Sequence, residues 1–336
     1  MRAFIVDRYG KGGTLRSGEM PEPEVGAHDV LVQVHAASVN VLDAKIRNGE
    51  FKLFLPYRPP FVLGNDVAGV VVRAGPAVRK FGVGDEVYAR PDKDRIGTFA
   101  EFISVSENDL ALKPKRLTMA EAASVPLVGL TAWQALIEMA GLRKGQKVFV
   151  QAGSGGVGTF AIQLAKHVGA TVATTTSAAN TGLVERLGAD VVIDYRTEDF
   201  ETVLHDYDVV LHSQDDATLA KSLRVLKPGG KLISISGPPD PAFAEEIGKP
   251  WILRPATRVL SHRARKAARR RQVGYSFLFM RANGEQLREI TSLIDAGVIT
   301  PVVDRVFPFD ATNEAMAYVQ RGRAKGKVVI EMQEPR

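Results

Sequence analysis

Hydrophobic and polar positions change period along this chain of 336 residues. In the first third, short β-branched runs at 30–34 and 67–72 are bounded by Gly, Pro and Asp, the pattern of strands. Residues 82–88 read as a tight turn feeding another strand, and 97–105 as a further one. Many short strands with glycine-rich turns predict a small barrel or partly open β domain. After about Lys115 the composition turns helical over 119–123, with Thr118 placed to cap it, and again over 130–140. Strand-like segments then recur at 147–151, 171–176, 191–194, 208–212 and 231–236, most of them separated by helical stretches. Such alternation predicts a parallel sheet with helices on both faces. A sixth strand is expected over 275–280. The tail reads as a helix over 285–296, a strand near Val302, another helix and a last strand over 327–330.

The sharpest local signal follows the first of the alternating strands. An apolar run at 148–150 leads into Gly153, Gly155 and Gly158, spaced as in a dinucleotide-binding turn. The first glycine permits a tight turn, the second lets main chain approach a diphosphate, and the third lets the helix pack closely on its strand. Val157, Phe160, Ala161, Leu164, Ala165 and Val168 share one face of the helix that follows. A helix opening here offers free N–H groups to a phosphate. A purely structural turn is the alternative. The end of the second strand bears on the choice of cofactor. An NAD site normally carries Asp or Glu there, about 20 residues beyond the glycines, for the ribose 2′-hydroxyl. Residues 174–180 hold three Thr, Ser177, two Ala and Asn180, with no acid. Hydroxyl and amide donors suit a 2′-phosphate, so NADPH is expected, against a polar loop without selectivity.

Composition narrows the chemistry. Without cysteine there is no disulfide framework, thiolate zinc site or thiol nucleophile. The six histidines are scattered, with no pair at helix-turn spacing beside a carboxylate. No apolar run reaches the roughly 20 residues that cross a bilayer. The N-terminus opens in strand-like alternation, unlike a signal peptide. A cytoplasmic protein without membrane partners is expected. The net charge of +6 is local, because 254–271 holds eight Lys/Arg and no acid and leaves the remainder slightly acidic. That stripe reads as a solvated helix face. It lacks interleaved aromatics for stacking on bases, so nucleic acid is not the expected partner.

The residues at 40–47, 63–69, 84–87, 97–102, 126–132, the glycine turn and 326–329 together resemble the medium-chain dehydrogenase/reductase superfamily, in its zinc-free quinone oxidoreductase and alkenal/enone reductase branch. The resemblance spans nearly the whole chain. It implies a GroES-like, β-rich substrate domain built from 1–120 and 284–336, with a Rossmann doubly wound parallel sheet, 121–283, inserted in it. The alcohol dehydrogenase branch has a metal-binding Cys near Asn40 and a His in place of Asn65. Both are missing here, as is the four-Cys lobe. The resemblance implies that Gly155, Gly156 and Val157 meet the diphosphate, and that Ser177, Asn180 and Tyr195 meet the adenosine end. It places Asn40, Lys45 and Thr131 by the nicotinamide and its ribose, and Ser236, Gly237, Phe277 and Phe279 along the cofactor. Arg323 and Lys327 would contact it from the tail. Two departures stand out: Asn180 where many relatives have Lys, and His212 to Asp215 in place of a small, glycine-containing turn.

The activity implied is hydride transfer from NADPH to a quinone ring or to the β-carbon of an enone or alkenal. Charge developing on the carbonyl oxygen needs a donor. Lys45 is the expected one, directly or through the ribose, its other reading being a solvated lysine. Tyr57 is the residue that could return a proton, or else part of a packed turn at 57–60. Tyr275, Phe277 and Phe279 alternate as on a sheet edge. Relatives commonly dimerise by joining such edges, so a homodimer through 275–280 is expected. The alternative function is an RNA- or anionic-surface-binding, crystallin-like protein using 254–271.

Overall fold

The computed structural model describes residues 1–52, 54–248 and 250–332. It divides into two compact units, Met1–Leu130 with Arg281–Arg336, and Thr131–Met280. The first unit runs past residue 120 because the short helix Met119–Ala123 packs on its strands. That helix is capped as its sequence predicts, Glu121 N–H donating to Thr118 Oγ1 at 3.2 Å.

Among the described residues sixteen strands make up the sheets. Those before the helix are β1 Arg2–Val6, β2 Arg16–Glu19, β3 Asp29–Val39, β4 Phe61–Val62, β5 Asp66–Ala74, β6 Glu86–Ala89, β7 Phe102–Ser106 and β8 Leu110–Leu112. The second unit contributes β9 Lys147–Val150, β10 Thr171–Thr176, β11 Val191–Asp194, β12 Tyr207–His212, β13 Leu226–Ser234 and β14 Gly274–Phe277. The tail adds β15 Val303–Pro308 and β16 Lys327–Glu331.

In the first unit β1 pairs with β2 and β4, and a larger sheet runs β15-β16-β3-β5-β6-β8 with β7 also on β3. The tail is tied in by main-chain bonding, since β16 lies antiparallel to β3 with Val328 opposite Val39. This register carries Lys327 to the end of β3, beside Asn40. Val30, Val32, Val67, Val87, Phe99 and Val328 are buried in the core of this unit. β-Branched side chains suit such a pleated, covered surface.

The second unit is one parallel sheet in the order β11-β10-β9-β12-β13-β14. This is the doubly wound Rossmann order, with the reversal of direction between β9 and β12, where such sheets bind ligands at the carboxyl ends of the strands. The helix Gly156–Val168 buries Phe160, Ala161, Leu164 and Ala165 and ends at Gly169, whose φ of 87° is left-handed. Burying Phe160 alone contributes about 1.5–3 kcal/mol.

Three details differ from the sequence pattern. The strand expected over 275–280 is laddered only as Gly274–Phe277; the Phe277 N–H goes to Asp240 Oδ2 at 3.2 Å. The helix expected over 130–140 is an α-helix, Pro126–Trp133, that widens into a π-helix, Gln134–Met139. There Lys231 Nζ donates to the carbonyls of Met139 (3.2 Å) and Ala140 (3.0 Å). The basic stripe falls on two helices, Pro250–Leu260 and His262–Arg270, joined through buried Ser261. Among the described residues no helix is long and apolar enough to cross a membrane.

Candidate active site

The glycine turn joins β9 to the helix Gly156–Val168, and each glycine has a distinct reason. A Cβ on Gly153 would lie 2.1 Å from Thr174 Oγ1 on β10, and one on Gly158 would lie 2.3 Å from the Ala152 carbonyl oxygen. Those two serve close packing. A Cβ on Gly155 would meet only the Ala152 oxygen, at 3.3 Å, and otherwise project into open space. Gly155 caps the helix without any side-chain hydrogen bond. Gly156, Val157 and Gly158 therefore open the helix where N–H groups lack intrahelical acceptors, a ready anion site.

The carboxyl end of β10 adjoins this turn. Thr176 Oγ1 lies 2.9 Å from Ser154 Oγ, and Asn180 Nδ2 donates to Ser154 Oγ (3.2 Å) and Ser177 Oγ (3.4 Å). Asn180 Oδ1 is buried with no partner, an acceptor open to a ribose hydroxyl. A carboxylate comes here from β11: Asp194 accepts from the Ala178 N–H (3.2 Å) and the Arg196 N–H (3.1 Å). Tyr195 is 59% exposed, its N–H donates to the Thr176 carbonyl, and the Arg196 guanidinium sits 5.8 Å from its ring centroid. The Arg196 guanidinium has no carboxylate partner among the described residues. Arg196 carries no motif of its own in the sequence. Its signal was its place directly after a parallel strand, at the end where such sheets bind ligands.

At the ends of β12 and β13, His212 is fully buried, with Nδ1 2.9 Å from Ser234 Oγ and Nε2 3.1 Å from the Asp215 carbonyl. Burial pushes its pKa down, favouring neutral imidazole. Ser236 Oγ donates to the Gln214 carbonyl at 2.6 Å, and the Gly237 N–H to Ser234 Oγ at 2.7 Å. His212 thus props the turn that carries Ser236 and Gly237. Phe277 and Phe279 both pack edge-on against Phe243, at 5.4 Å between centroids. The Phe277 ring is buried and the Phe279 ring half-buried. Thr131 is buried near the end of its helix.

The first unit holds a buried polar cluster. Asp66 Oδ2 accepts from Ser38 Oγ (2.7 Å), Asn40 Nδ2 (2.8 Å) and Lys327 Nζ (3.3 Å), while Oδ1 accepts from the Leu127 N–H (2.7 Å). Lys327 also donates to Asn40 Oδ1. Asp43 accepts from the Asn40 N–H and from Asn65 Nδ2, both at 2.6 Å. Burial raises the Asp43 carboxyl to about 7, against the pull of those donors. Lys327, expected from the tail as a cofactor contact, is the counter-ion of this cluster. Lys45 is half-buried on the helix Val41–Asn48, and its ammonium makes no hydrogen bond to the described residues. Arg323 is exposed and likewise unpaired.

Tyr57 faces an open depression of about 380 Å³, lined also by Arg58, Phe61, Val62, Asp94 and Ile96. Its hydroxyl donates to the Lys93 carbonyl at 2.5 Å, and burial pushes its pKa up. A phenol so held is a poor source of protons, which argues for the packed-turn reading over a proton donor.

A doubly wound sheet with a bare glycine turn is the architecture of dinucleotide-binding folds. Family models match in the same sense: the alcohol dehydrogenase GroES-like domain over residues 26–115, and a zinc-binding dehydrogenase domain over 187–330. The chain is 36% identical to the mouse mitochondrial NAD(P)H oxidoreductase RTN4IP1, over 99% of this chain and 89% of that protein. It is also 36% identical to a chloroplastic NADPH-dependent alkenal/one oxidoreductase of Arabidopsis thaliana, over 98% and 79%. The structure of a quinone oxidoreductase from Coxiella burnetii superposes with a TM-score of 0.86 at 30% identity, covering 99% of both chains. The chain belongs to the medium-chain dehydrogenase/reductase superfamily, in its quinone oxidoreductase and alkenal/enone reductase branch. It is an oxidoreductase of a family that binds nicotinamide cofactors.

Proposed function

We propose that the protein is an NADPH-dependent reductase of quinones or α,β-unsaturated carbonyls that works without zinc. The observation that carries this reading is the bare glycine turn beside a strand end whose own side chains are hydroxyls and an amide rather than a carboxylate. The residues fit a dinucleotide: space is left at Gly155 for a diphosphate, and Asn180 Oδ1 lacks a partner. NADPH supplies the hydride when bound. Gly155, Gly156 and Val157 would hold its diphosphate, with Ser177, Asn180, Tyr195 and Arg196 at its 2′-phosphate end. Ser236, Gly237 and the main chain of Phe277 and Phe279 would line its path. Lys45, whose ammonium has no partner among the described residues, is assigned to stabilise negative charge on the substrate oxygen. The proton at the α-carbon comes from water, because the Tyr57 hydroxyl is committed to Lys93.

The zinc-free reading rests on the donor set. By the resemblance, metal-binding relatives have a Cys near Asn40 and a His in place of Asn65; this chain has neither, and Asp66 already has the Lys327 ammonium. Among the described residues no His, Asp and Glu cluster with metal-site geometry. We also propose a homodimer joined at β14, the edge of the parallel sheet.

The test is NADPH oxidation over small quinones, alkenals and cyclic enones, with NADH alongside and zinc content measured. Turnover of at least one class with NADPH, without stoichiometric zinc, is expected. Failure on all three classes, or dependence on added zinc, overturns the reading.

A further inference from the structure

The basic stripe is not absorbed by the reductase chemistry, and its three-dimensional surroundings are informative. On the helix Pro250–Leu260 the inward residues are Leu253 and Thr257, followed by Ser261, all buried at i, i+4 and i+8. The outward face carries Trp251, Pro255 and Val259 at the same spacing, hence in one line along the helix. Trp251 is 82% exposed, Val259 75% and Leu260 55%, so three large apolar groups meet solvent within ten residues. Arg254 and Arg258 flank that line. The next helix, His262–Arg270, buries only Ala264 and Ala268 and turns Arg263, Lys266, Arg269 and Arg270 outward, with Arg271 just beyond. Arg254 has Glu245 within 3.7 Å; among the described residues none of the other basic side chains here has a carboxylate within ion-pair distance.

We propose that these two helices form a docking surface for an anionic lipid membrane. The positive side chains are complementary to acidic headgroups, and the line of Trp251, Pro255 and Val259 enters the boundary between headgroups and acyl chains. A merely solvated face accounts for the arginines but leaves the apolar line beside them without a role. A polyanion such as RNA would use the charges, yet it would find one aromatic ring to stack on and leave the aliphatic groups in water. A membrane surface uses both. All the residues concerned lie in one unit, and the inference stands apart from the reductase reading.

The experiment is flotation of the purified full chain with phosphatidylcholine vesicles, with and without phosphatidylserine, at low and high salt. Association with acidic vesicles alone, weakening with salt, is expected. Replacing Arg263, Lys266 and Arg270 by Ser lowers partitioning about fivefold per charge. Trp251→Ala lowers it as well and removes a vesicle-induced blue shift of tryptophan fluorescence. Secondary structure and thermal midpoint serve as folding controls for both exposed-site variants. Absence of vesicle association, equal association with neutral vesicles, or indifference to both variants overturns the proposal. So does binding of a single-stranded oligonucleotide where acidic vesicles fail. A change in oligomeric mass on Trp251→Ala with vesicle binding intact gives the line to a second copy and also overturns it.

Discussion

The two roles assigned within the glycine turn separate under a pair of single-methyl substitutions. In Gly158→Ala the new Cβ stands 2.3 Å from the Ala152 oxygen and 2.7 Å from the Gly153 Cα, both main-chain atoms that cannot swing aside. Overpacking of this kind costs about 1–3 kcal/mol, and the better helix propensity of Ala returns up to about 1 kcal/mol. A net loss of about 1–2 kcal/mol lowers the unfolding midpoint of a unit this size by about 3–6 °C. In Gly155→Ala the nearest atom is 3.3 Å away, so the cost is that of a poorer helix cap, about 0.5–1 kcal/mol. Its methyl occupies the space assigned to the diphosphate, and NADPH affinity should fall about tenfold or more, equivalent to about 1.4 kcal/mol. Thermal unfolding and fluorescence titration with NADPH read the two effects separately. If Gly155→Ala bound NADPH within about twofold of the parent protein while staying folded, no diphosphate would press on this turn, and the cofactor assignment would fail. The factor is well under the tenfold that 1.4 kcal/mol represents.

Other consequences concern charge. Arg196→Ala should raise KM for NADPH about five- to tenfold, leaving kcat and NADH kinetics unchanged; the difference should shrink with salt, since the side chain is exposed. Lys327→Met leaves Asp66 buried without its counter-ion and should cost about 3–5 kcal/mol in urea unfolding, partly restored by adding Asp66→Asn. The Asp43 carboxyl, at about 7 in the folded protein, binds its proton more tightly than in the unfolded chain, where 3.8 applies. Stability from this group is therefore full below about pH 4 and declines as pH rises through 7, by at most about 1.4 kcal/mol per pH unit. Asp43→Asn should flatten that limb of the pH–stability curve, and an unchanged slope would refute the assignment.

What was legible in the sequence is what is written in local periodicity. The six parallel strands, the glycine turn and the Thr118 cap all depend on residues a few positions apart, whose spacing leaves a trace. The end of β14 was not legible, because the Phe277 N–H is taken by Asp240, 37 residues earlier. The bonds from Lys327 to Asn40 and Asp66 span 287 and 261 residues. No window along the chain contains both ends. Lys327 and Arg323 therefore looked equivalent as tail cations, although one is buried as a counter-ion and the other is exposed.

Position 40 shows how such a cluster dictates a residue type. Its side chain must donate to Asp66 and accept from Lys327 at once, while its N–H serves Asp43. Only an amide offers a donor and an acceptor on one short, uncharged fork. An acid there would place a third carboxylate among Asp43 and Asp66 with a single ammonium to balance them, and an apolar residue would leave Asp66 and Lys327 short of partners in a dry interior. With Asn40 in place, Asp66 and Lys327 cancel. Asp43 is then the member whose charge changes near neutral pH, burial having raised its carboxyl to about 7. The same arithmetic counts against a divalent cation, which would have to displace an ammonium already bonded to both Asp66 and Asn40.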